Sequence, residues 1–161
     1  MEKMAAHQKG LLHRAFSIFI FNDKNELLLQ QRALSKYHSA GLWTNTCCSH
    51  PRENENLTDA TARRLQEEMG FTCPVEKAFH FTYYAELENN LIENELDHVF
   101  IGLYNGDITI NPTEVEQYKY EQPDWIQKDM TAHPEKYTAW FKIVFSKVLE
   151  HMHSNHGTSY A

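Results

Sequence analysis

Ser49-His50-Pro51-Arg52-Glu53-Asn54-Glu55-Asn56-Leu57-Thr58-Asp59-Ala60-Thr61-Ala62-Arg63-Arg64-Leu65-Gln66-Glu67-Glu68-Met69-Gly70-Phe71 carries a charged helix with its stop signal in place. Ala62, Leu65 and Met69 recur at helical spacing, which lays one apolar stripe along the helix, and Gly70 can take the left-handed turn that ends it. Thr58 is the predicted N-cap, since its hydroxyl could accept from an otherwise unpaired backbone N–H of the first turn. Arg64 and Glu68, four apart, share a helix face. Immediately upstream, Thr44-Asn45-Thr46-Cys47-Cys48-Ser49-His50-Pro51 sets a soft nucleophile two residues from an imidazole.

Working outward, residues 16–21 read as a strand covered on both faces, with Ile18 and Ile20 on one side and Phe19 and Phe21 on the other. Asn22-Asp23-Lys24-Asn25 is turn chemistry, and Leu27-Leu28-Leu29 restarts an apolar strand that ends in Gln30-Gln31-Arg32. Residues 35–51 read as a loop. Residues 79–86 and 93–104 form two further strands across an Asn89-Asn90 turn, so Glu93, Glu95 and Asp97 point the same way. Three carboxylates on one strand face are costly unless they are solvated or hold a cation. Behind Pro134, the spacing of Tyr137, Phe141, Val144, Phe145 and Val148 predicts an amphipathic C-terminal helix. A single domain over residues 1–150 is expected, with 151–161 as a flexible tail.

Composition narrows the function. A hydrophobic content of 42% argues against disorder, and no apolar run approaches the roughly 18 residues a membrane helix needs. The start has neither a secretory apolar segment nor a transit-peptide bias, so a cytoplasmic protein with three reduced cysteines is expected. A net charge of −7 disfavours a nucleic-acid partner. A small anion remains possible, because Lys3, Arg14, Arg32, Lys36 and Arg64 lie in the first 64 residues. His7, His13, His50, Glu93 and Glu95 form a candidate metal-ligand set drawn from separate elements.

From Ser49 to Phe71 the chain resembles the Nudix signature: Gly, five residues, Glu, seven residues, Arg-Glu-apolar, any residue, Glu-Glu, any residue, Gly-apolar. Glu55, Arg63, Leu65, Glu67, Glu68, Gly70 and Phe71 fit; Ser49 replaces the first Gly, and Arg64 stands where a metal-binding carboxylate is expected. A helix so altered suits diphosphate hydrolysis poorly. Five further stretches occur together in the order seen in type I isopentenyl diphosphate isomerases. They are residues 5–16 with His7 and His13, Arg32-Ala33-Leu34-Ser35-Lys36, residues 41–51, Glu93-Asn94-Glu95, and Trp140. This resemblance covers most of residues 2–145. It departs from the family at its start, where members usually carry a further strand and loop before the Glu-Lys that corresponds to Glu2-Lys3.

The resemblance implies a Nudix-like α/β/α sandwich with a mixed β-sheet flanked by helices, and an enzyme that moves the double bond between isopentenyl and dimethylallyl diphosphate. It assigns metal ligation to His7, His13, His50, Glu93 and Glu95, the catalytic thiol to Cys48, and the acidic proton carrier to Glu95. Tyr83 would assist proton transfer and Trp140 face the carbocation. Glu68 would help hold the magnesium that accompanies the diphosphate, whose oxygens Lys3, Arg32, Lys36 and Arg64 would contact. Cys47 would be a bystander. The His/Glu site suits manganese or zinc by its nitrogen and oxygen donors. Protonating an unactivated alkene and removing a proton elsewhere requires both an acid and a base. An indole face stabilises a desolvated cation by about 2 kcal/mol. The implied partner is a small diphosphate, with no nucleic acid or membrane, and the protein is expected to be a monomer or weak dimer. Two competing readings are a Nudix hydrolase of a nucleoside diphosphate derivative, favoured by Glu55, Glu67, Glu68 and Gly70 and opposed by Arg64, and a non-catalytic metal- or ligand-binding module.

Overall fold

The computed structural model describes residues 12–154. The chain runs β1 (His13–Phe21), β2 (Leu27–Arg32), β3 (Trp43–Thr44), β4 (Cys47–Ser49), α1 (Leu57–Met69), β5 (Val75–Glu86), β6 (Ile92–Leu103), β7 (Val115–Glu121), α2 (Pro123–Ala132) and α3 (Ala139–Ser154). One mixed sheet has the order β3-β2-β1-β6-β5, with β4 paired to β1 and β7 to β2. β1 and β6 are parallel, and the other pairings are antiparallel.

Alternation along β1 builds two cores. Phe16, Ile18 and Ile20 pack with Leu65 and Met69 of α1, whereas Phe19 and Phe21 pack with Phe141, Val144 and Phe145 of α3. The sheet is therefore sandwiched between helices, as expected. Phe141, Val144, Phe145 and Val148 are fully buried, and each such side chain stabilises the fold by roughly 1.5–3 kcal/mol. Among the described residues, no helix is long and apolar enough to cross a membrane.

Three local expectations need correction, whereas the Gly70 stop and the Asn89-Asn90 turn stand as expected. The N-cap of α1 is Asn56, not Thr58: its backbone is extended and its side chain accepts from Asp59 N at 2.8 Å. Gly70 ends the helix at φ 74°, and a Cβ there would lie 2.3 Å from the Thr109 carbonyl oxygen. The stretch expected as a loop over 35–51 holds the short strands β3 and β4. The tight turn between β5 and β6 uses left-handed Asn89 and Asn90, whose side chains tolerate positive φ better than most. The C-terminal helix continues to Ser154, so the tail boundary expected after residue 150 falls inside it and His151 and His153 are helical.

Candidate active site

The two cysteines of β4 face opposite layers. Cys47 is fully buried in the α1-side core, whereas Cys48 turns toward α3. Trp140 at the start of α3 donates its indole N–H to Cys48 Sγ at 2.9 Å. On another side the thiol donates to Asn45 Oδ1 at 3.0 Å. The Asn45 amide cannot flip without loss, because its Nδ2 donates to the Ile18 and Cys47 carbonyls, each at 3.0 Å. Ser17, the cross-strand partner of Cys48, sits 3.7 Å from Sγ and donates to Asp97 Oδ2 at 2.8 Å. Through Ser17, then, the thiol and the carboxylate row of β6 share one face of the sheet. Burial, followed by the charge of Asp97, pushes the Cys48 thiol up to about 12.

The carboxylate row is buried rather than solvated: Glu93, Glu95 and Asp97 are 4%, 6% and 2% exposed. Isolated charges in that position would be strongly unfavourable, so a cation is the physical expectation. His13 is the register partner of Glu95 on β1, and His50 follows β4. Their Nε2 atoms lie 3.2 and 2.8 Å from Glu95 Oε2 and 2.9 Å from each other. Burial alone would raise the Glu95 pKa, but the bonds and charges of both imidazoles outweigh it and hold the carboxyl well below the usual range. Three nitrogen and oxygen donors converging from three strand regions fit a divalent transition-metal ion, and they are the single such group among the described residues. Glu93 lies outside that group, 3.9 Å from His38 Nε2. Burial, followed by Glu93 and Glu95, raises the Tyr83 phenol above its usual value, and Asp97 is pushed up to about 8 by burial and then by Glu95.

A cleft of about 540 Å³ opens beside His50, walled by Lys36, Arg52, Arg63 and Arg64 with Tyr37 and Glu114. Its cations are not idle. Arg64 binds Glu68, Glu114 and Glu67, while Lys36 reaches Glu114 at 2.9 Å. Glu68 lies on the α1 side of the sheet, where Gln30 donates to its Oε1 at 2.9 Å. Arg32 is 8% exposed, donates to the His38 carbonyl at 3.1 Å, and holds its guanidinium 5.2 Å from the Trp140 ring centroid.

A NUDIX domain profile matches residues 11–141. The chain is 52% identical over 147 residues to isopentenyl-diphosphate Delta-isomerase 1 of Aromatoleum aromaticum, covering 91% of this chain and 83% of that protein. The chain belongs to the isopentenyl-diphosphate Delta-isomerase family. Isopentenyl-diphosphate Delta-isomerase 2 of Photorhabdus laumondii is 54% identical, with 89% and 81% covered. Solved structures with the same fold include the MutT protein of Methanosarcina mazei, with TM-score 0.70 at 22% identity and 84% and 91% covered. The MutT NUDIX hydrolase of Burkholderia pseudomallei gives TM-score 0.67 at 18% identity, with 85% and 98% covered. At such identities these two show the fold alone.

In this isomerase-family chain, then, the residues expected at the site separate into two neighbouring groups. Cys48, Trp140, Tyr83, His13, His50, Glu93 and Glu95 gather on the α3 side, and Lys36 and Arg64 line the cationic cleft, with Glu68 paired to Arg64 and His50 lining both. Lys3 and His7 lie outside the described residues. The sequence reading passed over Asn45, Ser17, His38, Gln30 and Glu114. Asn45 and Ser17 could have been suspected, the first as a buried amide three residues before the thiol and the second as a lone hydroxyl in the apolar run 16–21.

Proposed function

We propose that this protein interconverts isopentenyl and dimethylallyl diphosphate. The observation that carries the reading is one half-buried thiol, Cys48, on the same sheet face as a buried carboxylate, Glu95, in a chain about half identical to proteins named for that reaction. One of the pair adds a proton to the terminal alkene carbon, leaving a tertiary cation. The other removes a proton from the carbon next to the diphosphate-bearing end, and the roles exchange in the reverse direction, so the proton count balances. Tyr83 stands beside Glu93 and Glu95 as a proton-transfer assistant, and the Trp140 indole supplies a polarisable face toward the cation. Burial of these groups excludes water, which would trap the cation as an alcohol.

Arg32, Lys36 and Arg64, with Lys3, are assigned to the diphosphate oxygens. His13, His50, Glu93 and Glu95, with His7, are assigned to manganese or zinc, and Glu68 to magnesium accompanying the diphosphate. Such ions supply positive charge that neutralises the diphosphate and fixes the carboxylate row. A cytoplasmic monomer or weak dimer acting on this one small substrate completes the proposal. Incubation with isopentenyl diphosphate in heavy water tests it: dimethylallyl diphosphate carrying deuterium supports the reading. Release of phosphate, or of nucleoside monophosphate from a nucleoside diphosphate, with no isomer formed would replace it with hydrolysis.

A further inference from the structure

Glu114 reaches two cations that belong to different elements. One carboxylate oxygen meets Arg64 of α1 and the other meets Lys36 in the connection after β2, the latter at 2.9 Å. All three residues line the same cleft. The backbone around Glu114 is tied to both of those elements: Asn111 N donates to the Glu68 carbonyl at 3.0 Å, and Ala33 N donates to the Glu114 carbonyl at 3.1 Å. Asn111 Oδ1 in turn accepts from Thr113 N and Oγ1, at 3.1 and 2.9 Å, which fixes the turn leading into Glu114. The half-buried carboxyl is held below its usual range, with the hydrogen bonds from Arg64 and Lys36 overcoming the effect of burial.

We propose that Glu114 is an affinity-setting residue that competes internally with the substrate's diphosphate for Lys36 and Arg64. The inference rests on reading the cleft as the diphosphate site. A carboxylate offers two oxygens and one charge, and here each oxygen is committed to one cation. A diphosphate brings more oxygens and more charge, so it displaces Glu114, whereas a weaker anion does not recover the cost of breaking both ion pairs. When product leaves, the carboxylate re-forms its pairs, and the cleft is not left as a bare cluster of cations. If Glu114 holds the cations in about nine molecules of ten, apparent affinity for any anion is about tenfold below that of the uncovered cleft.

Isothermal titration of the purified protein with inorganic pyrophosphate and with orthophosphate tests this, alongside KM for isomerisation and a thermal melt of each variant. Glu114→Gln is expected to bind pyrophosphate about tenfold more tightly than the parent, to make orthophosphate binding measurable, and to lower KM. Glu114→Asp keeps the charge but is one methylene too short to span both cations, so it should fall between the two. Unchanged or weaker pyrophosphate affinity in a folded Glu114→Gln protein overturns the inference, because the carboxylate would then be arranging the cations for the ligand. Absence of pyrophosphate binding to the parent would instead overturn the reading of the cleft.

Discussion

Replacing Glu95 by Gln separates the two duties assigned to that side chain. In the folded protein its Oε2 stands 2.8 Å from His50 Nε2 and 3.2 Å from His13 Nε2, and the residue is 6% exposed. An amide of the same size keeps one oxygen that can face the two imidazoles but cannot carry a proton. Metal binding should therefore fall only in part. Loss of a positioned general acid–base group lowers rates about 10²–10⁴-fold, which is roughly 2.7–5.4 kcal/mol at about 1.36 kcal/mol per decade. Turnover of isopentenyl diphosphate with saturating manganese and magnesium, beside metal content by mass spectrometry, reads both duties. Glu93→Gln should chiefly lower metal retention. Isomerisation by Glu95→Gln within a few-fold of the parent at saturating metal would refute the reasoning, since another group would then deliver the proton.

Cys48→Ala should abolish isomerisation with fold and metal content retained, while Cys47→Ala, on the opposite side of β4, keeps activity; the reverse pattern in the turnover assay would mean that the wrong thiol has been assigned. His50→Ala removes one of three converging donors, so bound transition metal should drop well below one per chain and a chelator should inactivate the parent in parallel; full occupancy in the variant removes His50 from the ligand set. Gly70→Ala forces a Cβ to within 2.3 Å of the Thr109 carbonyl at a left-handed position, so unfolding should show a loss of about 1–3 kcal/mol or more; an unchanged melting temperature would contradict the packing of α1 on that loop.

The parts legible in the sequence are those in which burial imposes a period. β1 alternates between two cores, and α3 buries a complete stripe, so both announce themselves in the apolar pattern. The same alternation aligned Glu93, Glu95 and Asp97. β7 and α2 went unread because each sits at the margin of the fold: β7 buries only Val115, and α2 only Ile126, too little for either period to emerge. The N-cap was misplaced by two residues because Asn56 and Thr58 both carry suitable side chains, and only the turn geometry selects Asn56. Glu114 had no local signal at all. Its partners lie 50 and 78 positions away, and their meeting depends on the turn at Asn111 being tied to the end of α1.

The position that most clearly set the sequence apart, Arg64, also explains how one fold serves a different chemistry. In the Nudix pattern the helix gathers carboxylates, which suits it to collect metal ions for hydrolysis. Here Arg64 binds Glu67, Glu68 and Glu114, so a cation of the helix itself already pairs with those anions before any ligand arrives. A helix in that state is poorly suited to assemble several metals of its own; in the proposed reading its cations serve the diphosphate, and Glu68, held by Arg64 and Gln30, is the carboxylate assigned to magnesium. Three further buried carboxylates, Glu93, Glu95 and Asp97, lie on β6, on the sheet face that also carries a thiol and an indole. There a buried carboxylate row gathers imidazoles, and the reacting carbons can be kept away from water. In the proposed reading, a charge reversal at one helix position thus goes with a reactive centre on the sheet rather than the helix, and with a diphosphate cleft that stays beside the helix.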